Sequence, residues 1–305
     1  MDNFLLRICK GVPKTHVYRV IRDGQVRVNK KRIAPDYRLL EGDELRVPPM
    51  RIAAKSEAPV PPSEFPVLFE DADLLIIDKP AGVAVHGGSG VSYGVIEQLR
   101  RARPQAAFLE LVHRLDRETS GVLMIAKKRS ALVAMHAQLK AAPDGGDKAM
   151  DKRYFALVKG RVANDRQHVR VPLRKTVGAN GERVVYAADR HDADAQSAHT
   201  VVNVVERFPE ATLVEAELRT GRTHQIRVHL AHLGHPILGD ERYGDFELNK
   251  ALAKQGLKRM FLHAAALTIA HPRSGEPLTV AAPLPNECER YLEKLRVEKL
   301  RGKTV

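Results

Sequence analysis

The chain has 305 residues, 44% apolar and 29% charged, enough for a sizeable soluble core and too apolar for general disorder. Fifty Lys and Arg against 37 Asp and Glu give a formal net charge of +13, which favours a polyanionic partner, nucleic acid before acidic membrane. Two cysteines at opposite ends, Cys9 and Cys288, exclude a disulfide framework and an all-cysteine zinc site. No apolar run approaches the roughly 18 residues of a spanning helix, and the stretch before Arg7 is too short for a signal-peptide core. A reduced, cytoplasmic setting is expected.

A module precedes the Pro48-Pro49 break. Residues 15–24 carry Val17, Val20 and Ile21 at helical spacing, with Thr15 as the expected N-cap and Gly24 as the stop. Residues 25–33 read as a strand, a turn at Asn29-Lys30 and a second strand, and 41–48 as a turn and a last strand. Basic residues cluster here: Lys14, Arg19, Arg22, Arg27, Lys30, Lys31 and Arg32 face Asp23 alone. Arg19 and Arg22 share a helix face away from Val17 and Val20. A phosphate-binding surface fits this clustering better than a merely solvated one. Residues 50–66, with four prolines, read as an extended linker. The expected domains are therefore 1–49 and 67–305.

In the larger part, strands are expected at 73–78, 109–112, 121–128, 153–160, 199–208 and 211–218, with a pair around Ser274-Gly275. Helices are expected after Ser92 as cap, over 131–139, over 222–233 and near the C-terminus. Many strands without a regular strand–helix alternation predict an α+β fold with a large, mostly antiparallel mixed sheet and flanking helices.

The densest polar cluster is HRLDRETSG, 113–121, in a loop between two apolar strands. Asp116 lies among His113, Arg114 and Arg117, and nearby cations favour the ionised form of a carboxylate that serves as nucleophile or base. Composition alone leaves a second use open, an aspartate that ties its own loop. A second cluster, TGRTHQIRVHLAHLGHP, 220–236, holds His224, His229, His232 and His235. Without the glutamate of an HExxH arrangement, packing or RNA contact explains them better than a metal. HGGSG, 86–90, lacks the spacing of a phosphate-binding P-loop, and no GxGxxG is present.

HRLDRETSG, KRYFALVKG, GRTHQIRVH, GHPILGDERYG and RMFLHAAAL, in that order, resemble the RluA-type pseudouridine synthases over 67–283. VHGGSGVSYGVIEQLR and the short VNKKRI segment look closest to the RluC branch, which acts on uridines of large-subunit ribosomal RNA. The first module resembles the αL RNA-binding domain named after a small-subunit ribosomal protein, the S-four domain. That family usually has residues upstream of Asp2-Asn3-Phe4, which leaves open a start ahead of Met1. AAPDGGDKAMDK, 141–152, suggests a longer loop than is usual.

The resemblance implies isomerisation of uridine to pseudouridine in ribosomal RNA, possible also within assembly intermediates, with no metal, nicotinamide or nucleotide cofactor and no membrane partner. It maps the catalytic aspartate to Asp116, its arginine partner to Arg227 and the tyrosine stacked on the uracil to Tyr154. Arg114 takes the place of the side chain that enters the stack as the nucleotide flips, and Leu262 that of an apolar wall. The competing expectations are a ribosome-assembly binder without activity and a metal-dependent RNA hydrolase built on the histidine helix.

Overall fold

A computed structural model of the chain describes residues 1–9, 12, 14–49, 60–88, 91–141, 150–177 and 183–301. It divides into two compact units, Met1–Pro59 and Val60–Val305. Of the expected linker, 50–59 lies outside the described residues, and 60–66 carries no helix or strand.

The first unit holds α1 (Asp2–Ile8), α2 (Lys14–Arg22), β1 (Arg27–Val28), β2 (Lys31–Arg32) and β3 (Leu45–Arg46), the strands pairing antiparallel in the order β2-β1-β3. The apolar stripe of α2, Val17, Val20 and Ile21, packs with Leu5, Val26 and Val28. Because α2 opens at Lys14, Thr15 lies inside its first turn and is not the cap. Asn29 and Lys30 both take positive φ, 49° and 68°. That mirror-image turn matches the twist of the two strands it joins.

The second unit runs β4 (Val67–Glu70), β5 (Leu74–Lys79), α3 (Val95–Ala102), β6 (Glu110–Leu111), β7 (Ser120–Ala126), α4 (Arg129–Lys140) and β8 (Met150–Lys159). It continues through β9 (Arg166–Val169), β10 (Leu173–Val177), β11 (Arg183–Ala187), β12 (Thr200–Arg207), β13 (Ala211–Leu218) and α5 (Gln225–His232). Last come α6 (Phe246–Lys254), β14 (Leu262–Ala270), β15 (Pro277–Ala281) and α7 (Asn286–Arg301). Ten strands make one sheet, with the path β4-β5-β7-β14-β8-β13-β12-β9, β15 beside β14 and β6 beside β7. Its pairs are antiparallel except β7 with β14, so the sheet is mixed as expected. Strands β10 and β11 form a separate ribbon.

Crossing far in sequence, β14 lies between β7 and β8 and sets His263 against Ser120 and Ala264 against Tyr154. This juxtaposition gathers the ends of β7, β8 and β14. Gly121 sits at the crossing with φ 106°, and a Cβ there would lie 2.2 Å from the Ala264 carbonyl oxygen. Both its conformation and the close strand approach require glycine.

Two further local expectations differ from the structure. Helix α3 is capped at Gly94, not Ser92, because the Glu97 carboxylate reaches back to the Gly94 and Gly87 N–H groups. Helix α5 begins at Gln225, three residues later than 222. The Gln225 amide oxygen takes the Arg222 N–H and the Thr220 hydroxyl, which holds that turn out of the helix. Strands β4, β9, β10 and β11 and helix α6 are not legible in the sequence pattern. They are short, polar on one face or edge-placed, and their side-chain period is weak. The loop expectation at 141–152 and the glycine loop at 86–90 fall in part outside the described residues, at 142–149 and 89–90.

Candidate active site

An open cleft of about 990 Å³ is lined by Asp116, Tyr154, Arg227, Leu262 and Arg114, five residues that the sequence scatters over nearly 150 positions. Their elements explain the convergence. Asp116 sits in the loop between β6 and β7. Thr119 donates its N–H to the Asp116 carbonyl at 3.1 Å, which closes a tight turn. The Arg117 carbonyl accepts from Gly82 N–H at 2.9 Å and from the Lys79 ammonium at 3.1 Å. Lys79 is fully buried, and its ammonium also meets the carbonyls of Pro80 and Val83. Burial, with Arg259 nearby, pushes its pKa down to about 7.

The cation beside Asp116 is not one of its sequence neighbours. Burial holds His113 neutral, its pKa lowered to about 4, and its Nε2 accepts the Met124 N–H at 3.1 Å. Arg117 turns outward to Glu118, at 2.7 Å. Arg227, 111 residues away on α5, donates Nη1 to Asp116 Oδ2 at 3.1 Å. The same guanidinium grips Asp240 with Nε to Oδ2 at 2.7 Å and Nη2 to Oδ1 at 2.8 Å. Asp240 is buried, and its Oδ1 also accepts the N–H groups of Arg242 and Tyr243. Burial alone would raise the Asp240 pKa, but the Arg227 bonds and charge with those two N–H groups bring it below its ordinary 3.8. Gly239, at φ 78°, lets this loop pass the Arg259 carbonyl, which a Cβ would meet at 2.1 Å. Asp240 therefore fixes Arg227, and Arg227 presents one fork to Asp116.

Tyr154, on β8, is 7% exposed, and burial with the nearby Asp116 charge raises its pKa, so the phenol stays protonated. Leu262 opens β14 and is buried in the cleft wall, while Arg114 is exposed at the rim. Lys152, two residues before Tyr154 and on the same strand face, also lines the cleft; burial lowers its pKa.

Asp240, Tyr243 and Lys152 are residues of this site that the sequence does not single out, and His224 stands out there only as one of four histidines, with no link to Asp116. Asp240 and Tyr243 stand in GHPILGDERYG, but that motif gives no hint of which arginine it holds. The four histidines of 224–235 do not converge. His229 is buried between the Thr200 hydroxyl and the Val171 carbonyl, and His235 bonds the Lys159 carbonyl. Among the described residues the group with metal-like spacing is Asp71, Asp73 and His271, whose aspartates pair with His271, Arg273 and Lys128.

Residues 73–232 match the family model described as RNA pseudouridylate synthase, a span that contains Asp116, Tyr154 and Arg227. The chain belongs to the RNA pseudouridylate synthase family. It is an RluA-type pseudouridine synthase, and residues 1–45 match the S4 domain. It is 50% identical to "Ribosomal large subunit pseudouridine synthase C" of Salmonella typhimurium over 305 residues, covering 97% of this chain and 92% of that one. The protein of the same name from Escherichia coli K12 is also 50% identical, with 97% and 92% covered. The RluC branch expected from the motifs is the one these relatives represent. A solved structure, human RNA pseudouridylate synthase domain containing 4, is similar with a TM-score of 0.62 and 27% identity, covering 76% of this chain and 93% of that one.

Proposed function

We propose that this synthase isomerises uridines of large-subunit ribosomal RNA, with Asp116 as the reacting carboxylate. The observation that carries the reading is Asp116 in an open cleft with Oδ2 tied to a buried Arg227–Asp240 pair and Oδ1 left toward the cleft. The bond from ribose C1′ to uracil N1 breaks with its electron pair on the base. The base turns, C5 bonds to C1′, and the C5 proton leaves. An ionised Asp116 serves either by attack on the ribose or by removal of a ribose proton to a glycal. Arg227 holds that carboxylate charged and oriented.

Tyr154 offers a neutral ring on which the flipped uracil stacks, an interaction worth roughly 1–3 kcal/mol per base. Leu262 closes the apolar side. Arg114, exposed at the rim, fills the gap left in the stack, where extrusion costs a few kcal/mol. The chemistry involves no redox change and no hydrolysis, so activity needs no cofactor. On an unstructured RNA substrate it should persist through exhaustive chelation. Loss in chelator, restored by a divalent ion, would reject this.

The S4 domain supplies affinity. Arg19, Arg22, Arg27, Lys30, Lys31 and Arg32 are all exposed, and none forms an ion pair among the described residues. Lys14 opens α2, and its side chain is not among those described. Strand register sets Arg27 directly opposite Arg32 on one side and Arg46 on the other. Like charges in register destabilise a sheet, so this row makes sense with an anion against it. Removing 1–49 should weaken RNA binding and flatten its salt dependence, by roughly 0.7–0.9 in log–log slope for each phosphate no longer neutralised. The remaining unit should keep some turnover at high concentration with poorer choice among uridines. A filter-binding salt series and a pseudouridine map check both points; an unchanged slope would make the row simply solvated surface. A cytoplasmic location and action on ribosome-assembly intermediates complete the proposal. Among the described residues no helix is long and apolar enough to cross a membrane.

A further inference from the structure

His224 is the one non-glycine residue with positive φ among the described residues of the larger unit, at φ 55° and ψ 19°. Such strain persists only where the surroundings over-determine it, and it gathers at functional sites. Here the determinants are visible. The Gln225 amide, anchored on the His199 carbonyl and the Thr200 hydroxyl, fixes the turn just before α5. The turn sends the His224 ring into the cleft, where it lines the wall next to Asp116.

The ring is held at one end and faces Asp116 at the other. Its Nδ1 lies 2.8 Å from the Tyr243 hydroxyl. The Tyr243 hydroxyl can donate to Nδ1 or accept from it, according to which ring nitrogen carries the proton. The rings of His224 and Tyr243 meet edge to face, with centroids 5.6 Å apart. Arg227 lies over the same Tyr243 ring at 5.0 Å. The other nitrogen, Nε2, stands 3.8 Å from Asp116 Oδ1, the carboxylate oxygen that Arg227 does not bind. The charged and titratable groups around the imidazole are Asp116, Arg227, Arg242, Asp240 and Tyr243. Burial first, and then the two arginines, favour its neutral form, against the pull of the two aspartates.

A neutral imidazole that accepts at Nδ1 carries its proton on Nε2. The opposite tautomer would aim a lone pair at a carboxylate. We propose that His224 is a positioning residue for the reaction: its Nε2–H holds Oδ1 of Asp116 toward the ribose while Arg227 holds Oδ2. The inference rests on the reading of Asp116 as the reacting carboxylate. A separation of 3.8 Å is longer than a hydrogen bond. Catalytic hydrogen bonds are often long without substrate and tighten in the complex. Two donors, one at the N-cap of α5 and one in its first turn, would fix the carboxylate plane, where one would leave it free to rotate about the Arg227 bond. The histidine does this without placing a second full positive charge on the group that must react.

The test uses the full chain and a ribosomal RNA fragment that the wild-type protein converts. His224→Gly removes the ring while glycine accepts the positive φ, so the turn is not loaded. The expected result is a kcat lower by about ten- to hundred-fold, the scale of one hydrogen bond to a charged group, with KM within about twofold. Added imidazole should restore part of the loss, and sodium chloride at equal ionic strength should not. Tyr243→Phe, which frees Nδ1, should lower kcat less and in the same sense. A His224→Gly turnover within twofold of wild type, a loss carried by KM, or no recovery with imidazole would each overturn the proposal. Asp116→Asn is run in parallel. If it retains turnover, the reading of Asp116 has failed; if it is inactive while His224→Gly is fully active, only the role of His224 has.

Discussion

Asp116→Asn should lower pseudouridine formation by about 10³-fold or more, ~4 kcal/mol of barrier, while fold and RNA affinity stay near wild type. The substitution keeps the shape of the side chain. An amide is neither a nucleophile nor a base at neutral pH, so either chemical route stops. Asp116 is only partly buried, with 26% of its side chain exposed, and packs no core. The Arg227–Asp240 pair stays intact without it, because Arg227 keeps two bonds to Asp240. Yield and RNA binding measured on one sample separate the two outcomes. Turnover near wild type would remove Asp116 from the reaction.

Asp240→Asn should be the most disruptive single change in the site for stability. It removes the negative charge from both bonds to Arg227, whose side chain is 10% exposed, and sets an amide NH₂ in place of one of the two acceptor oxygens. Breaking one partner of a buried pair costs about 3–5 kcal/mol, roughly 10 °C in melting temperature for a unit of this size. Activity should fall too, since Arg227 loses the anchor that aims its Nη1 at Asp116. The pH dependence follows from the lowered Asp240 pKa. Folding keeps this carboxylate ionised to lower pH than the unfolded chain does. Its stabilisation is complete above the unfolded value near 4 and is lost as pH falls through the folded one. The gap in melting temperature between wild type and Asp240→Asn should therefore be full at pH 6–8 and close below about pH 4. A constant gap across that range would show that the charge is not what holds the loop.

The roles of the aspartate's neighbours illustrate the limits of local reading. HRLDRETSG supplies three candidate cations within three residues of Asp116, yet His113 is a neutral acceptor inside the loop and Arg117 faces Glu118. The cation that reaches the carboxylate comes from α5. Family motifs in register point to Arg227 because they encode the fold's long-range pairing. Charge near Asp116 in sequence does not. Thr15, Ser92 and residue 222 lie one to three residues from the true helix ends for a related reason. Helix ends are set by whichever polar group reaches the free N–H groups, and Glu97 and Gln225 do so from three residues further on, at Gly94 and Arg222, which apolar periodicity does not register.

By itself, the sequence determined the class of fold, the division into a small basic module and a larger body, and the motifs that carry Asp116, Tyr154 and Arg227. The first two rest on periodicity and composition, which are local properties; the motifs rest on the resemblance to a family. Tertiary structure decided which donor meets which oxygen. Strand β14 had to cross between β7 and β8 to bring Leu262 beside Asp116 and Tyr154. Asp240 had to be buried against Arg227 before that arginine could present a fixed fork. His224 needed its left-handed turn to face the second oxygen of Asp116. Each of these is a contact between segments that no spacing rule connects, because chain entropy leaves their separation in sequence silent about their distance in space.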